Sequence, residues 1–129
     1  MKHVNAIIIF IFNTNKDKVL MLERVKNQFG FDWGFMCGKF EESETADTCA
    51  TREIEEELGL KNLVLTEFKK VKHEKDGETY YHHYYYTTIP ETTLIKFQKE
   101  EIKQIKWFNL DKLPKNRAPD DPKEAILLK

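Results

Sequence analysis

The stretch Arg52–Gly59, REIEEELG, limits what this chain can fold into more than any other. Thr45 stands where an N-cap is needed and Gly59 where a helix stops, so Ala46 to Leu58 is predicted to be one helix. At about 100° per residue, Glu53, Glu56 and Glu57 fall within a sector of roughly 100°, while Glu55 points the other way. The same sector continues into Ala46, Cys49 and Ala50, small residues that let the helix lie close to its neighbours. The acidic face is therefore expected to be partly enclosed. Like charges at these spacings cost a few tenths of a kcal/mol each when exposed, and burial raises the cost. Something positive must offset them: Arg52 supplies one charge, and Mg²⁺ or Mn²⁺ is the ion that clustered carboxylate oxygens otherwise bind. A solvated acidic face is the plainer alternative.

At 129 residues, 40% hydrophobic and 33% charged, the chain reads as one soluble domain over residues 1–129. Its net charge of −1 offers no global field for duplex nucleic acid or an anionic membrane. Cys37 and Cys49 lack the spacing of a zinc site or a disulfide framework, which fits a cytoplasmic setting. The apolar run in MKHVNAIIIFIF is too short for a membrane span and is read as a buried strand.

Val4–Phe12 and VLMLERV are expected to be two strands joined by the polar NTNKDK turn. Residues 26–44 hold Gly30, Gly34 and Gly38 and are read as a loop. Beyond the helix, LVLTEF, then ETYYHHYYYTTI past a turn near Asp76–Gly77, then IKQIKWFNL are read as strands. DPKEAILLK is read as a closing helix with Asp121 as its cap. The class is α+β.

GKFEESETADTCATREIEEELGL, residues 38–60, resembles the Nudix box G-x5-E-x7-R-E-U-x-E-E-x-G-U at every specified position, U being aliphatic. The WGF segment before the box and WFNLDKLP near the end look like the MutT-like branch of the same superfamily. The resemblance implies the Nudix fold, a mixed sheet between helices. It also implies divalent-metal-dependent hydrolysis of a nucleoside diphosphate linked to another group. At the box entrance the family usually has Gly-Gly where this chain has Cys37-Gly38. The Cys37 carbonyl is still available as a metal ligand.

By the same resemblance, Glu53, Glu56 and Glu57 are expected to ligate Mg²⁺, with Mn²⁺ as a substitute. The general base is Glu53, Glu56 or the more distant Glu101. Arg52 is expected to orient a glutamate, and Glu44 to meet backbone N–H groups at the helix start. Gly38 and Gly59 are read as structural. Arg24 and Lys39 are candidate phosphate contacts. Asp120 or Asp121 is a candidate acceptor for purine N–H groups, and Trp33, Phe35 or Trp107 a candidate wall of the base pocket. A nucleoside triphosphate, oxidised purines such as 8-oxo-dGTP included, leads the expected substrates. A nucleotide sugar, a dinucleoside polyphosphate, capped RNA or a non-catalytic nucleotide sensor are the alternatives. The protein is expected to be a monomer or homodimer. His82 and His83 are read as strand residues facing opposite sides.

Overall fold

The computed structural model describes residues 4–26 and 30–127. It contains β1 (Ala6–Phe12), β2 (Lys18–Arg24), β3 (Trp33–Gly34), β4 (Met36–Lys39), α1 (Ala46–Leu58), β5 (Thr66–Lys75), β6 (Glu78–Thr88), β7 (Ile102–Asn109) and α2 (Lys123–Leu127). β1 lies at the centre of one mixed sheet. Its whole length pairs in parallel with β6, from Ala6↔His82 to Phe12↔Thr88. Along its other edge β4 pairs with Ala6–Ile9, and β2 joins at Phe12↔Val19. β5 extends the sheet beyond β6, while β3 and β7 flank β2.

The apolar run of β1 is buried on both faces, and the two-residue alternation sorts its side chains. Ile7, Ile9 and Ile11 join Leu20, Leu22 and the α1 residues Cys49, Ala50, Ile54 and Leu58 in one core. Phe10 and Phe12 join Val19, Met21, Tyr84 and the α2 residue Ala125 in the other. Helices therefore cover opposite faces of the sheet, as the family resemblance implies. Among the described residues no helix is long and apolar enough to cross a membrane.

Two segments differ from their sequence reading. The 26–44 stretch, of which 27–29 lie outside the described residues, holds the short strands β3 and β4. Gly34 and Gly38, read as loop-formers, are in these strands, where a Cβ would stand 3.2 Å from the Phe31 ring and 2.4 Å from the Glu53 side chain; Gly30, at φ 82°, stays outside them. The strand expected at LVLTEF begins only at Thr66 and runs on through the charged KKVKHEK to Lys75. Its lysines obscure the pattern: Lys69 and Lys70 lay their ammonium groups over Tyr84 and Tyr81, 4.8 and 4.5 Å from the ring centres. Asp76 and Gly77, with φ of 55° and 76°, form the tight turn into β6. The closing helix spans Lys123–Leu127, and its expected continuation at 128–129 lies outside the described residues.

Candidate active site

α1 is fixed at both ends by its own sequence. The Thr45 hydroxyl accepts from the Thr48 N–H at 3.2 Å, and the Thr48 hydroxyl accepts from the Thr45 N–H at 2.9 Å, a reciprocal cap. At the other end Gly59, at φ 65°, donates its N–H to the Glu55 carbonyl. Between these ends the helix sets Cys49, Ala50, Ile54 and Leu58 into the core and brings Glu57 with them, 8% exposed. Glu53 lies against β4 so closely that a Cβ at Gly38 would stand 2.4 Å from its carboxyl carbon. The Glu53 and Glu57 side chains keep 14% and 10% of their surface, whereas Glu56 keeps 58%.

Burial, followed by a hydrogen bond to Glu57, pushes the Glu53 carboxyl up to about 7. Two arginines balance the remaining charge. Arg52 grips Glu44 with Nε and Nη2 at 2.7 and 2.9 Å, and turns Nη1 to Glu53 at 2.5 Å and Glu56 at 3.1 Å. Its hydrogen bonds hold Glu44 down to about 2. On the far side Arg24 donates to Glu57 at 2.9 Å and reaches the Cys37 sulfur at 3.8 Å. The register of β2 against β7 shifts between Glu23 and Arg24, the kind of irregularity that re-aims a side chain. Burial raises the Cys37 thiol, so it stands as a neutral neighbour.

Among the described residues no three His, Cys, Asp or Glu side chains converge as a ready cation cage. The arginines explain this: Arg52 draws Glu56 outward and Arg24 holds Glu57. The donor chemistry nevertheless fits a divalent cation. Glu53 and Glu57 are adjacent and nearly buried, and burial together with the bond to Glu57 makes Glu53 favour keeping a proton that a cation would replace.

Beside Arg24 a pocket opens where β1 and β2 diverge. Ile8, Phe31, Phe35 and Ala118 supply its apolar lining, with Arg24, Lys26, Asp32 and Asp120 as charged groups. Phe35 is held edge-on to Phe10, ring centres 4.8 Å apart. Asp120 accepts a 2.8 Å hydrogen bond from the Tyr84 hydroxyl.

The model of the NUDIX domain family matches residues 1–128. The chain belongs to the NUDIX family. Membership makes it a hydrolase of phosphoanhydride bonds, in a family that generally uses divalent metal ions. The m7GpppN-mRNA hydrolase of Saccharomyces cerevisiae is 28% identical to this Nudix chain over 122 residues. That match covers 91% of this chain but 12% of the yeast protein. A MutT NUDIX hydrolase from Burkholderia pseudomallei superposes with a TM-score of 0.75 at 22% identity, covering 94% of each chain. The dihydroneopterin triphosphate pyrophosphohydrolase of E. coli gives 0.70 at 26% identity, over 85% of this chain and 83% of that one.

Of the residues singled out in the sequence of this Nudix protein, Glu53, Glu57, Arg24, Arg52, Cys37 and Gly38 form one chain of contacts, of which Arg24 and Cys37 line the pocket, with Glu56 at the outer edge. Glu44 differs from its expected contact: it accepts from the Glu41 N–H at 2.7 Å, while Thr45 and Thr48 satisfy the helix start. Lys39 is exposed and offers its carbonyl to Arg52 at 3.2 Å. Glu101 is exposed where β7 begins, its carbonyl accepting from the Val25 N–H. Phe35 and Asp120 line the pocket, whereas Trp33 packs edge-on against Phe108 and Trp107 against the α1-side core. Asp121 accepts from the Lys123 N–H at 3.0 Å, as a cap does. Ile8, Lys26, Phe31, Asp32 and Tyr84 were missed by sequence reasoning. Only alternation in the tyrosine-rich run gave a signal for Tyr84, and it could not say which face meets Asp120.

Proposed function

We propose that this protein is a pyrophosphohydrolase of nucleoside triphosphates, oxidised purines among them, releasing a nucleoside monophosphate and pyrophosphate with Mg²⁺, or Mn²⁺ in its place. One observation carries this reading: the Glu53–Glu57 pair adjoins, through Arg24, a pocket that combines aromatic walls with the Asp120 carboxylate. A polyphosphate and an acid pair repel unless a cation stands between them. Glu53 and Glu57 would hold that cation, with Glu56 and the Cys37 carbonyl as further donors. When bound, the ion neutralises phosphate charge and makes water a stronger nucleophile.

The chain's own groups have separate tasks. Arg52 fixes the direction of Glu53 through Nη1 while Glu44 anchors the opposite side of the guanidinium. Arg24 and Lys26 offer positive charge between the acids and the pocket, suited to a phosphate. Glu53 holds a proton near neutrality in the absence of a cation, and Glu53, Glu56 and Glu101 are the candidate general bases. Phe31 and Phe35 exclude water around the base, and Asp120 accepts from its edge.

The deciding experiment is product analysis with Mg²⁺ across nucleoside triphosphates, oxidised purine triphosphates, nucleotide sugars, dinucleoside polyphosphates and capped RNA. Monophosphate plus pyrophosphate from a triphosphate, lost in Glu53→Gln and Glu57→Gln, is the expected result. The similarity to the yeast m7GpppN-mRNA hydrolase favours capped RNA as the second reading. Preferential release of a cap nucleotide would select it. Tight binding without turnover under either metal would select a sensor.

A further inference from the structure

Tyr84 is almost fully buried on β6, 8% exposed, yet its hydroxyl reaches the wall of the pocket. Its ring packs against Phe10 and Phe68, with centroids 6.1 and 6.2 Å away. The Lys69 ammonium lies over it at 4.8 Å and is itself tied to Glu124 of α2 at 2.9 Å. The phenol therefore cannot swing away without disturbing the sheet and the helix above it. From this fixed point it donates to Asp120 Oδ1 at 2.8 Å. Arg117 secures the backbone on either side, donating Nη1 to the Ala118 and Asp120 carbonyls at 2.9 and 3.0 Å. Backbone and carboxylate of Asp120 are both held in place.

We infer that Tyr84 is a specificity-determining positioning residue, which locks Asp120 as a hydrogen-bond acceptor and so selects nucleobases presenting N–H donors to the pocket. With Oδ1 engaged by a donor, Oδ2 is the atom left for the base, and it can only accept while the group is ionised. Burial and Asp120 raise the Tyr84 phenol well above its ordinary range, which keeps it a donor throughout the working pH range. A base without an N–H on its edge leaves Oδ2 desolvated and unpaired, the situation that rejects a ligand most strongly.

The inference rests on the nucleotide reading above but is tested without turnover. Calorimetry with Mg²⁺ would compare guanosine monophosphate with purine riboside monophosphate, whose edge has no N–H. The wild type should favour guanosine by about tenfold or more. Tyr84→Phe keeps the ring packing and should bring that ratio towards one, chiefly by weakening guanosine binding. Asp120→Asn is the sharper probe. Tyr84 would hold the amide oxygen, turn the NH₂ towards the base and reverse the preference, and adding Tyr84→Phe should abolish the reversal.

Equal weakening of both nucleotides in Tyr84→Phe would assign the tyrosine to stability alone and overturn the inference. An unchanged ratio, no reversal in Asp120→Asn, or no guanosine binding by the wild type would do the same. Altered ratios in a protein that hydrolyses nothing would leave the inference standing and remove the hydrolase reading. Hydrolysis with an unchanged ratio in Tyr84→Phe would do the opposite.

Discussion

Gly38 on β4 and Glu53 on α1 are in direct contact, with Cγ, Cδ and Oε2 of the glutamate each 2.4 Å from where a Cβ at position 38 would stand. Gly38 is thus required by space, since its backbone has no positive φ to relieve. Gly38→Ala must push the Glu53 carboxylate aside or lift the helix. Overpacking of this kind costs about 1–3 kcal/mol. The expected result is a matching loss in urea denaturation and at least about tenfold weaker Mn²⁺ binding by calorimetry, a factor worth about 1.4 kcal/mol. Unaltered metal affinity in a folded Gly38→Ala protein would separate Glu53 from the metal site.

Arg52 is the counter-charge that several acids share, contacting Glu41, Glu44, Glu53 and Glu56 within 3.2 Å. Its fork on Glu44 needs two nitrogens in one plane, a geometry that lysine lacks. Both Arg52→Ala and Arg52→Lys are expected to lose stability, the alanine variant by about 2–3 kcal/mol because partly buried carboxylates lose their partner. Activity in Arg52→Lys should drop through kcat more than KM, since Glu53 loses its direction. A lysine variant indistinguishable from wild type in both respects would contradict the role given to the fork.

The raised Glu53 carboxyl makes a pH prediction with a definite sign. Its folded value of about 7 lies above the ordinary 4.5, so the native state holds the proton more tightly than the unfolded chain. That contribution to stability is complete below pH 4.5 and is lost as pH rises through about 7. Urea denaturation in EDTA, wild type minus Glu53→Gln, should show this decline with rising pH, and Mg²⁺ should offset it at the alkaline end. Calorimetry in buffers of different ionisation enthalpy should also detect close to one proton released per ion at pH 6 and much less at pH 8, either side of the raised Glu53 value. A flat difference curve without proton release would place the carboxyl back in the usual range.

Thr45 and Thr48 satisfy each other's backbone N–H groups at the start of α1. Thr45→Ala removes one half of that exchange and is expected to cost about 1 kcal/mol, read as a lower thermal midpoint. The glutamates lie about two to three turns further on, so their metal affinity should be unchanged in the folded variant. A large fall in affinity would mean that the helix start governs the site.

What the sequence determined alone is local or periodic. Thr45 and Gly59 mark the ends of α1 because a cap and a left-handed stop are set by neighbours in the chain. The isoleucine–phenylalanine run reads as a buried strand because it is short, rich in β-branched and aromatic residues and followed by a polar turn. The spacing of Glu53 and Glu57 by itself puts them on one helix face, since they lie about one turn apart.

Tertiary structure decided everything that depends on segments distant in sequence. Glu56 shares the acidic sector yet faces Arg52 and solvent, because the helix rests its other side on β1 and β4. The charged strand β5 forms because β6 supplies its partner, and tyrosine rings beneath the lysines supply contacts that periodicity does not record. The pocket draws Ile8, Arg24 and Cys37 from three strands, Phe35 from the link between β3 and β4, and Asp120 from a late loop, so no local pattern could announce it. Hydrogen bonds such as Tyr84–Asp120 depend on which face each alternating residue meets, and the pairing of β1 with β6 settles that register.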